Sequence, residues 1–209
     1  MKLYDCAMAP NPRRVRIFLA EKKVEVEVRQ INILEGENLS DEYLAINRWG
    51  FVPALELEDG TCLSEAPCIF RYIEHIYPEP NLLGKTPIET AEIGKWERFS
   101  EMQGGQAIGE FFRNQAEPLK NRGLPGFSDL PQIPELISRG KKRAEWFYAQ
   151  INMRLMETEF IAGERFTAAD ITTLCVIDFG KRVGLPFSEQ QTPISQWYEK
   201  ITARKSTSF

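Results

Sequence analysis

The chain has 209 residues with 26 basic and 30 acidic side chains, which gives a net charge of −4 at pH 7. Nucleic-acid-binding domains usually present a basic face, and this balance indicates none. The hydrophobic content of 43% is enough for a buried core, but no apolar run approaches the ~20 residues that span a membrane. We therefore expect neither nucleic acid nor a membrane among the partners, and one large domain or two small ones.

Cysteine and histidine usage restricts the possible chemistry. The four cysteines, at positions 6, 62, 68 and 175, form neither a C-x-x-C pair nor a zinc-ligand spacing. Reduced thiols are typical of the cytoplasm, and a strand predicted from Lys2 leaves no room for a signal peptide, so we expect a cytoplasmic location. His75 is the single histidine. Histidine-based triads and multi-histidine metal sites are therefore excluded, and we predict no metal site.

The first third of the chain predicts a small α/β unit. Strands are predicted over 2–4, 24–31, 54–57 and 61–63, and the last two are joined by the Asp59-Gly60 turn of a hairpin. Between the strands, polar residues that cap helices precede helical patterns. The predicted caps are Asn11 (followed by Pro12), Ser40 and Ser64.

The remainder of the chain predicts helices only. A proline-containing linker covers 78–85, and a capping box at Thr86 opens a helix that extends to about Asn114. A Gly- and Pro-rich loop follows. Further helices are predicted to begin at Pro134 or Glu135, at the capping box of Thr167 and Asp170, and at Thr192-Pro193, and the tail from Arg204 is expected to fray.

Four segments together form a recognisable pattern. Residues 1–4 and 9–15 combine a short strand with a proline-flanked helix entry, and 52–55 is a short strand led by a proline. A helix that opens on Ser-Glu occupies 63–73, and a capping box at 166–170 opens an apolar helix. In this order and spacing, the four segments resemble the cytosolic glutathione transferases over essentially the whole chain.

The resemblance implies a thioredoxin-like α/β N-terminal domain over 1–77, a linker over 78–85 and an all-α helical domain over 86–209. It implies a cis bond in front of Pro53. It also implies an enzyme, a glutathione transferase, that uses glutathione as a cosubstrate and holds no permanent cofactor. The partner substrate would be a hydrophobic electrophile or a glutathione-linked disulfide, and the protein would be a homodimer.

Five positions match the family's glutathione site. The backbone of Val52, in front of Pro53, would pair with the cysteinyl unit of glutathione as an added strand does. Glu65 would bind the γ-glutamyl amine, and the N–H groups from Ala66 onward would bind its carboxylate at a helix N-terminus. Glu65 also fits an ordinary first-turn acid. Asn38 would touch the glycyl end, with a turn residue as the alternative.

The thiol of glutathione must lose its proton to act as a nucleophile, so the site needs a donor beside the sulfur. Ala9 stands where relatives carry serine or cysteine, which removes both of those mechanisms. We predict that the amide of Asn11 is the donor and Asn11 the catalytic residue, with an ordinary N-cap as the alternative. Pro10 and Pro12 remove backbone donors nearby. Cys6 either forms a mixed disulfide with glutathione or is a buried, inert thiol.

The second substrate would lie between the two domains, where apolar side chains suit a hydrophobic electrophile. Arg13 and Arg14 would add positive charge to the helix entry, unless they lie at a dimer face or in solvent. The two phenylalanines of the predicted lining also fit a place in the core. The predicted lining residues are Met8, Ala9, Phe111, Phe112 and Gln115.

Three departures from the family pattern favour a different function. Ala9 lacks a thiol-activating group, and Ala66 lacks a hydroxyl worth about 1 kcal/mol, which predicts weaker glutathione affinity. Phe51 replaces a basic residue that would pair with the glycyl carboxylate. These three residues favour a non-catalytic binding or regulatory protein of the same fold, whereas Asn11, Val52-Pro53 and Glu65 favour the enzyme.

Overall fold

The computed structural model describes residues 1–208, and its first domain is built on one sheet. The strands are β1 (Lys2–Asp5), β2 (Glu27–Gln30), β3 (Ala54–Glu56) and β4 (Cys62–Ser64). Their order across the sheet is β2-β1-β3-β4. The β1–β2 pair is parallel, whereas β1–β3 and β3–β4 are antiparallel. This mixed sheet confirms the thioredoxin-like fold. Only the second half of the strand predicted over 24–31 is paired.

Helices pack on this sheet and form the core of the first domain. They are α1 (Pro10–Lys22), α2 (Asp41–Ile46) and α3 (Ala66–Ile76), with a short 3-10 helix at Glu37–Leu39. The rings of Phe18 in α1 and Phe70 in α3 are stacked with their centroids 4.3 Å apart. Ser40 caps α2 as predicted, because its hydroxyl accepts the N–H of Tyr43 at 3.3 Å.

The entry of α1 differs from the prediction. Ala9 is the N-cap residue and makes no side-chain cap, so the prediction that Asn11 caps this helix was wrong. Proline is tolerated in the first turn, where the N–H groups have no intrahelical acceptor. Because either Pro10 or Pro12 can be the first residue of the helix, the sequence pattern does not decide between two starts that are two positions apart.

The entry of α3 also differs. Ser64 does not cap the helix as predicted, because it belongs to β4 and is paired with Ala54. Glu65 is the N-cap residue, and its φ of 69° lies in a region that L-residues rarely adopt. The strand thus passes into the helix through a single residue with an unusual backbone conformation.

The helical domain begins with one long helix that is not uniform. It is composed of α4 (Pro87–Phe99), a π-helical stretch (Ser100–Gly105) and α5 (Gln106–Arg113). The prediction of one continuous helix over 86–114 thus missed the π-helical stretch. The remaining helices are α6 (Glu135–Glu157), α7 (Ala168–Arg182) and α8 (Thr192–Thr202). Within residues 1–208, no helix is both long and apolar enough to cross a membrane.

The central helix α7 is buried along most of its length, as predicted. Its capping box is confirmed: the Thr167 N–H donates to Asp170 Oδ2 at 2.9 Å. The other carboxylate oxygen, Oδ1, accepts the Ile161 N–H at 3.0 Å and Trp197 Nε1 at 2.9 Å. Asp170 therefore joins the start of α7 to α8 and to the loop that precedes α7.

Residues 204–208 of the C-terminal tail do not fray, so the prediction was wrong for them, while Phe209 lies outside the described residues. Arg204 donates to both carboxylate oxygens of Glu21 in α1, at 2.9 and 2.7 Å. Thr207 is buried, and its carbonyl accepts Arg13 Nη2 at 3.1 Å. The tail therefore docks on the first domain through contacts far away in the sequence.

The segment between the domains is held at several points. Lys22 Nζ donates to the carbonyls of Tyr77 and Pro80, both at 2.7 Å. The Ala168 N–H donates to the Leu82 carbonyl at 3.0 Å. These contacts fix the path between α3 and α4, while the domain limits at 78–85 stay a prediction.

Candidate functional site

Strand direction brings three segments to one end of the sheet. Ala54 of β3 is paired with Tyr4 of β1 on one side and with Ser64 of β4 on the other. Because β3 is antiparallel to both neighbours, the chain leaves β1, enters β3 and leaves β4 at the same end. The segments brought together there are the loop 6–9, Val52-Pro53 and Glu65.

The Val52–Pro53 bond is cis, in agreement with the resemblance. Within residues 1–208, no hydrogen bond involves the N–H or the C=O of Val52. The carbonyl of the preceding residue, Phe51, is held by Tyr43 Oη at 2.7 Å and by Asn47 Nδ2 at 2.8 Å. Val52 thus presents an unpaired, well-positioned peptide group to an extended ligand.

The N-terminus of α3 offers fewer donors than expected. Pro67 has no N–H, and the Cys68 N–H donates to the Glu65 carbonyl at 3.0 Å. The expected row of N–H groups is therefore reduced to the N–H of Ala66, whose side chain is buried in the core. The Glu65 carboxylate is exposed, and no ion pair or hydrogen bond within the described chain uses it.

Asn38 is buried, with 6% of its surface exposed. Its Nδ2 donates to the Gly50 carbonyl at 2.8 Å, and its Oδ1 has no hydrogen-bond partner among the described residues. Gly50 has a φ of 64°, and a Cβ there would lie 2.8 Å from the Asn38 carbonyl oxygen. The amide therefore holds the turn in front of Phe51, which favours the turn-residue alternative for Asn38.

Asn11 is exposed in the first turn of α1. Its Oδ1 accepts Arg14 Nη1 at 3.4 Å, and within residues 1–208 its Nδ2 and its backbone N–H have no acceptor. Pro10 and Pro12 bring no N–H to this turn. The free donors of the turn are thus those of Asn11. Since Ala9 is the N-cap residue, the alternative in which Asn11 is an ordinary N-cap does not hold.

The two arginines that follow lie away from solvent, in contrast to one of the predicted alternatives. Arg13 is paired with Asp178 of α7. Arg14 Nη1 donates to Glu101 Oε1 at 2.7 Å, and its Nη2 lies 3.6 Å from Glu97 Oε1. Burial raises the pKa of Glu97 to about 7, although the nearby Arg14 lowers it. A charged cluster thus joins α1 to the π-helical stretch.

The loop between β1 and α1 is fixed from both domains. Asp5 accepts hydrogen bonds from Arg16 and Gln30, and Gln30 Oε1 in turn accepts the Ala7 N–H at 2.9 Å. Arg182 of α7 donates to the Met8 carbonyl. In this loop the N–H of Ala9 donates to the Cys6 carbonyl at 2.9 Å. Cys6 itself is a half-buried free thiol.

The predicted lining of the second-substrate site is divided by the structure. The Phe112 ring contacts Phe179 of α7 edge to face, with centroids 5.6 Å apart. Phe179 and Arg182 are three residues apart in α7, so Phe112 and the loop at Met8 lie along the same part of that helix. The side chain of Phe111 instead packs on the core, and Gln115 is exposed beyond the end of α5.

A loop of the helical domain crosses the first domain near the site. Arg122 donates to the carbonyls of Ile33 and Leu34, each at 2.7 Å. A Cβ at Gly126 would lie 2.8 Å from the Phe51 ring and 2.9 Å from the Trp49 carbonyl oxygen. The sequence did not indicate these contacts, because they join residues about 75 to 90 positions apart without a local pattern.

No group of three or more His, Cys, Asp or Glu side chains within residues 1–208 is arranged to hold a metal ion. Of the residues that the sequence did not single out, Arg182 and Arg122 have no local signature. The contact between Arg14 and Asn11 does have a local signature, because residues three apart in a helix are neighbours on its surface.

Comparison with known proteins identifies the family. The family model "Glutathione S-transferase, N-terminal domain" matches residues 1–75, and "Glutathione S-transferase, C-terminal domain" matches residues 134–205. Glutathione S-transferase 2 of Saccharomyces cerevisiae is 34% identical over 208 residues, which is 99% of this chain and 87% of the yeast protein.

Solved structures agree with this result. The crystal structure of Gtt2 from Saccharomyces cerevisiae has a TM-score of 0.92 at 32% identity and covers 99% of this chain and 98% of its own. A glutathione S-transferase domain-containing protein from Marinobacter aquaeolei has the same TM-score and identity, with complete coverage of both chains. The chain belongs to the glutathione S-transferase family and is a glutathione transferase.

Proposed function

We propose that this transferase activates the thiol of glutathione through Asn11, for attack on a hydrophobic electrophile or on a glutathione-linked disulfide. The observation that carries the proposal is the free donor set of Asn11, located where the sheet end presents Val52. Val52 and Pro53 would hold the cysteinyl unit, which directs its sulfur toward α1. Glu65 and the Ala66 N–H would hold the γ-glutamyl amine and carboxylate. Asn38, whose Oδ1 has no hydrogen-bond partner among the described residues, would contact the glycyl end.

The chemistry requires a stabilised thiolate. The thiol proton leaves to water, and the Asn11 Nδ2 and backbone N–H donate to the resulting anion at the positive end of the helix dipole. In conjugation the sulfur forms a bond to the electrophilic carbon while the leaving group departs with its bonding electrons. With a glutathione-linked disulfide, the sulfur attacks the glutathionyl sulfur, glutathione disulfide forms and the other thiolate is released.

The electrophile would lie between the loop at Met8 and Ala9 and the side chain of Phe112, with Gln115 at its outer rim. The ring of Phe112, supported by Phe179, supplies the apolar surface that a hydrophobic electrophile needs. We keep Phe111 out of this lining because it packs on the core. Homodimerisation and a cytoplasmic location belong to the proposal by family resemblance, and light scattering tests the dimer.

The test compares the wild type with Asn11→Ala and Asn11→Ser. A hydrogen bond to a charged group is worth about 1.5–3 kcal/mol, so loss of the amide raises the pKa of the bound thiol by about one to two units. We expect this shift in the ultraviolet thiolate absorbance of Asn11→Ala, and about a tenfold or greater loss of turnover with chlorodinitrobenzene. Asn11→Ser keeps a donor and restores part of both.

Two results would count against the proposal. Unchanged thiolate absorbance in Asn11→Ala removes Asn11 from the mechanism. Retention of the wild type on immobilised glutathione without turnover of chlorodinitrobenzene or of a glutathione-linked disulfide favours the non-catalytic alternative.

A further inference from the structure

We propose that Arg14 is a positioning residue that orients the Asn11 amide toward the glutathione sulfur, and that Glu101 and Glu97 hold Arg14 in place. The inference rests on the proposed function, since it requires Asn11 to act on the thiol. It adds a role for a buried charged cluster that spans the two domains.

The first step is the direction of the amide. Asn11 and Arg14 are three residues apart in α1 and lie on the same helix face. Arg14 carries only donors, so its contact at 3.4 Å is made to the Asn11 carbonyl oxygen, Oδ1. The Nδ2 group, on the opposite side of the amide, is thereby directed away from the guanidinium. An asparagine without this neighbour would be free to present either end to the ligand.

The second step is the rigidity of Arg14 itself. Only 2% of its surface is exposed. Its Nη1 is shared between Asn11 and Glu101, its Nη2 faces Glu97, and its guanidinium carbon lies 5.5 Å from the centroid of the Phe70 ring. Elements of both domains therefore determine the position of the guanidinium. A side chain held in this way transfers its own fixed orientation to the amide that it contacts.

The third step is the incomplete pairing of Arg14. Its Nε and Nη2 are buried and have no hydrogen-bond partner within the described chain. A buried donor without a partner is costly, so an ion pair selected for stability alone would be expected to satisfy these groups. The hydrogen bonds of the guanidinium are instead made by Nη1, to Glu101 and to Asn11. This compromise favours a role at the site.

Electrostatics act in the same direction. A positive charge beside Oδ1 polarises the amide and makes its Nδ2 a stronger donor. Glu101 shares Arg14 Nη1 with Asn11, and Glu97 lies 3.6 Å from Nη2. The two carboxylates compensate the buried charge without contacting the amide.

Arg13 provides the matched comparison on the same helix. It is also buried and also reaches the helical domain from α1, but it pairs there with Asp178 of α7. Its other guanidinium nitrogen, Nη2, donates to the Thr207 carbonyl. Arg13 therefore resembles Arg14 in burial and charge but is directed toward the tail, away from the first turn.

The test uses the full-length variants Arg14→Lys and Arg13→Lys. Lysine retains the charge and most of the packing but cannot donate in two fixed directions at once. For Arg14→Lys we expect the pKa of bound glutathione to rise by about one unit, a tenfold loss of thiolate. The turnover number should fall with the KM for glutathione nearly unchanged. For Arg13→Lys the thiol pKa should equal that of the wild type.

A double variant separates the two proposals. If Arg14 acts through Asn11, then Asn11→Ala with Arg14→Lys has the same thiol pKa as Asn11→Ala alone. Additive shifts, or a wild-type pKa in Arg14→Lys, would overturn the inference while leaving Asn11 in its role. An unchanged pKa in Asn11→Ala alone would instead refute the proposed function.

A measurement without variants covers the case in which Arg14→Lys does not fold. In crystals of the wild type with glutathione, we expect the Asn11 amide to lie between Arg14 and the sulfur, within hydrogen-bond distance of both. An amide turned away from Arg14 in that complex would equally overturn the inference.

Discussion

The first turns of α1 and α7 differ in whether their N–H groups find acceptors within the protein. Each first turn has N–H groups without intrahelical acceptors. At α7 the protein satisfies them internally, with Thr167 and the fully buried Asp170. At α1 the cap residue is Ala9, prolines remove two of the donors, and those of Asn11 remain exposed without an acceptor. The difference indicates which helix start serves the fold and which is available to a ligand.

The largest expected effect tests the α7 side of this comparison. Asp170→Ala leaves the buried N–H groups of Ile161, Thr167 and the Trp197 ring without their acceptor. We expect a loss of about 4 kcal/mol in the free energy of unfolding, since each unsatisfied buried group costs about 1–3 kcal/mol. Urea unfolding followed by circular dichroism measures it.

Asn11→Ala is the matched variant at the start of α1. Because Asn11 is exposed and caps nothing, we expect its unfolding free energy to stay within about 0.5 kcal/mol of the wild type. Comparable losses of unfolding free energy in the two variants would show that both helix starts stabilise the fold, and would contradict the distinction between them.

A second, smaller effect is the pH dependence of stability that arises from the buried acid Glu97. Burial raises the pKa of Glu97 from 4.5 to about 7, against the opposing influence of Arg14. Glu101 also raises this pKa, and Arg71 and Thr172 lower it. The folded state then binds the proton more tightly than the unfolded chain. The stability from this group is present below pH 4.5 and is lost as the pH rises to about 7.

Glu97→Gln removes that titration. Between acidic and neutral pH, the wild type loses up to about 3 kcal/mol of its unfolding free energy through Glu97. We expect the variant not to show this loss. Urea unfolding across this pH range measures the difference. Glu92→Gln, which changes a partly exposed acid paired with Lys95 on the same helix, should follow the wild type. Parallel curves for Glu97→Gln and the wild type would contradict the raised pKa.

The smallest expected effect is at the start of α3, the third helix entry. Glu65→Gln keeps the size of the side chain but removes the charge that would pair with the γ-glutamyl amine. Because Glu65 is exposed, we expect a cost of about 1 kcal/mol, or roughly a fivefold weaker Kd for glutathione by calorimetry. Glu58→Gln, at the turn on the opposite end of the sheet, is the control. Equal affinities would assign Glu65 to the helix dipole alone.

Sequence reasoning worked best where the determinants are local. The Asp59-Gly60 turn, the Ser40 cap and the capping box at Thr167 all depend on residues within a few positions of each other, and each was predicted correctly. The docked tail was mispredicted because the acceptor of Arg204, Glu21, lies 183 positions away. No window of sequence contains both members of such a pair.

The errors at helix starts have a different physical origin. Ser64 has the chemistry of a cap but was recruited by strand pairing with Ala54. Asn11 is not the N-cap residue because the first turn tolerates proline, so that the helix begins at Pro10. In both cases two local preferences competed, and at Ser64 the pairing with Ala54 decided between them. The candidate site was therefore predictable as a set of residues, while their free donors and acceptors were visible only in the structure.

The π-helical stretch Ser100–Gly105 sets the orientation of α5 relative to α4. Each residue of a helix advances the next by about 100° around the axis. Losing one residue from this stretch would turn α5 by about 100°, which would bring Phe112 to the place of Phe111 and Arg113 to the place of Phe112. A change of chain length inside a helix, without any change of residue type, would thus alter the surface that α5 offers to the proposed electrophile site.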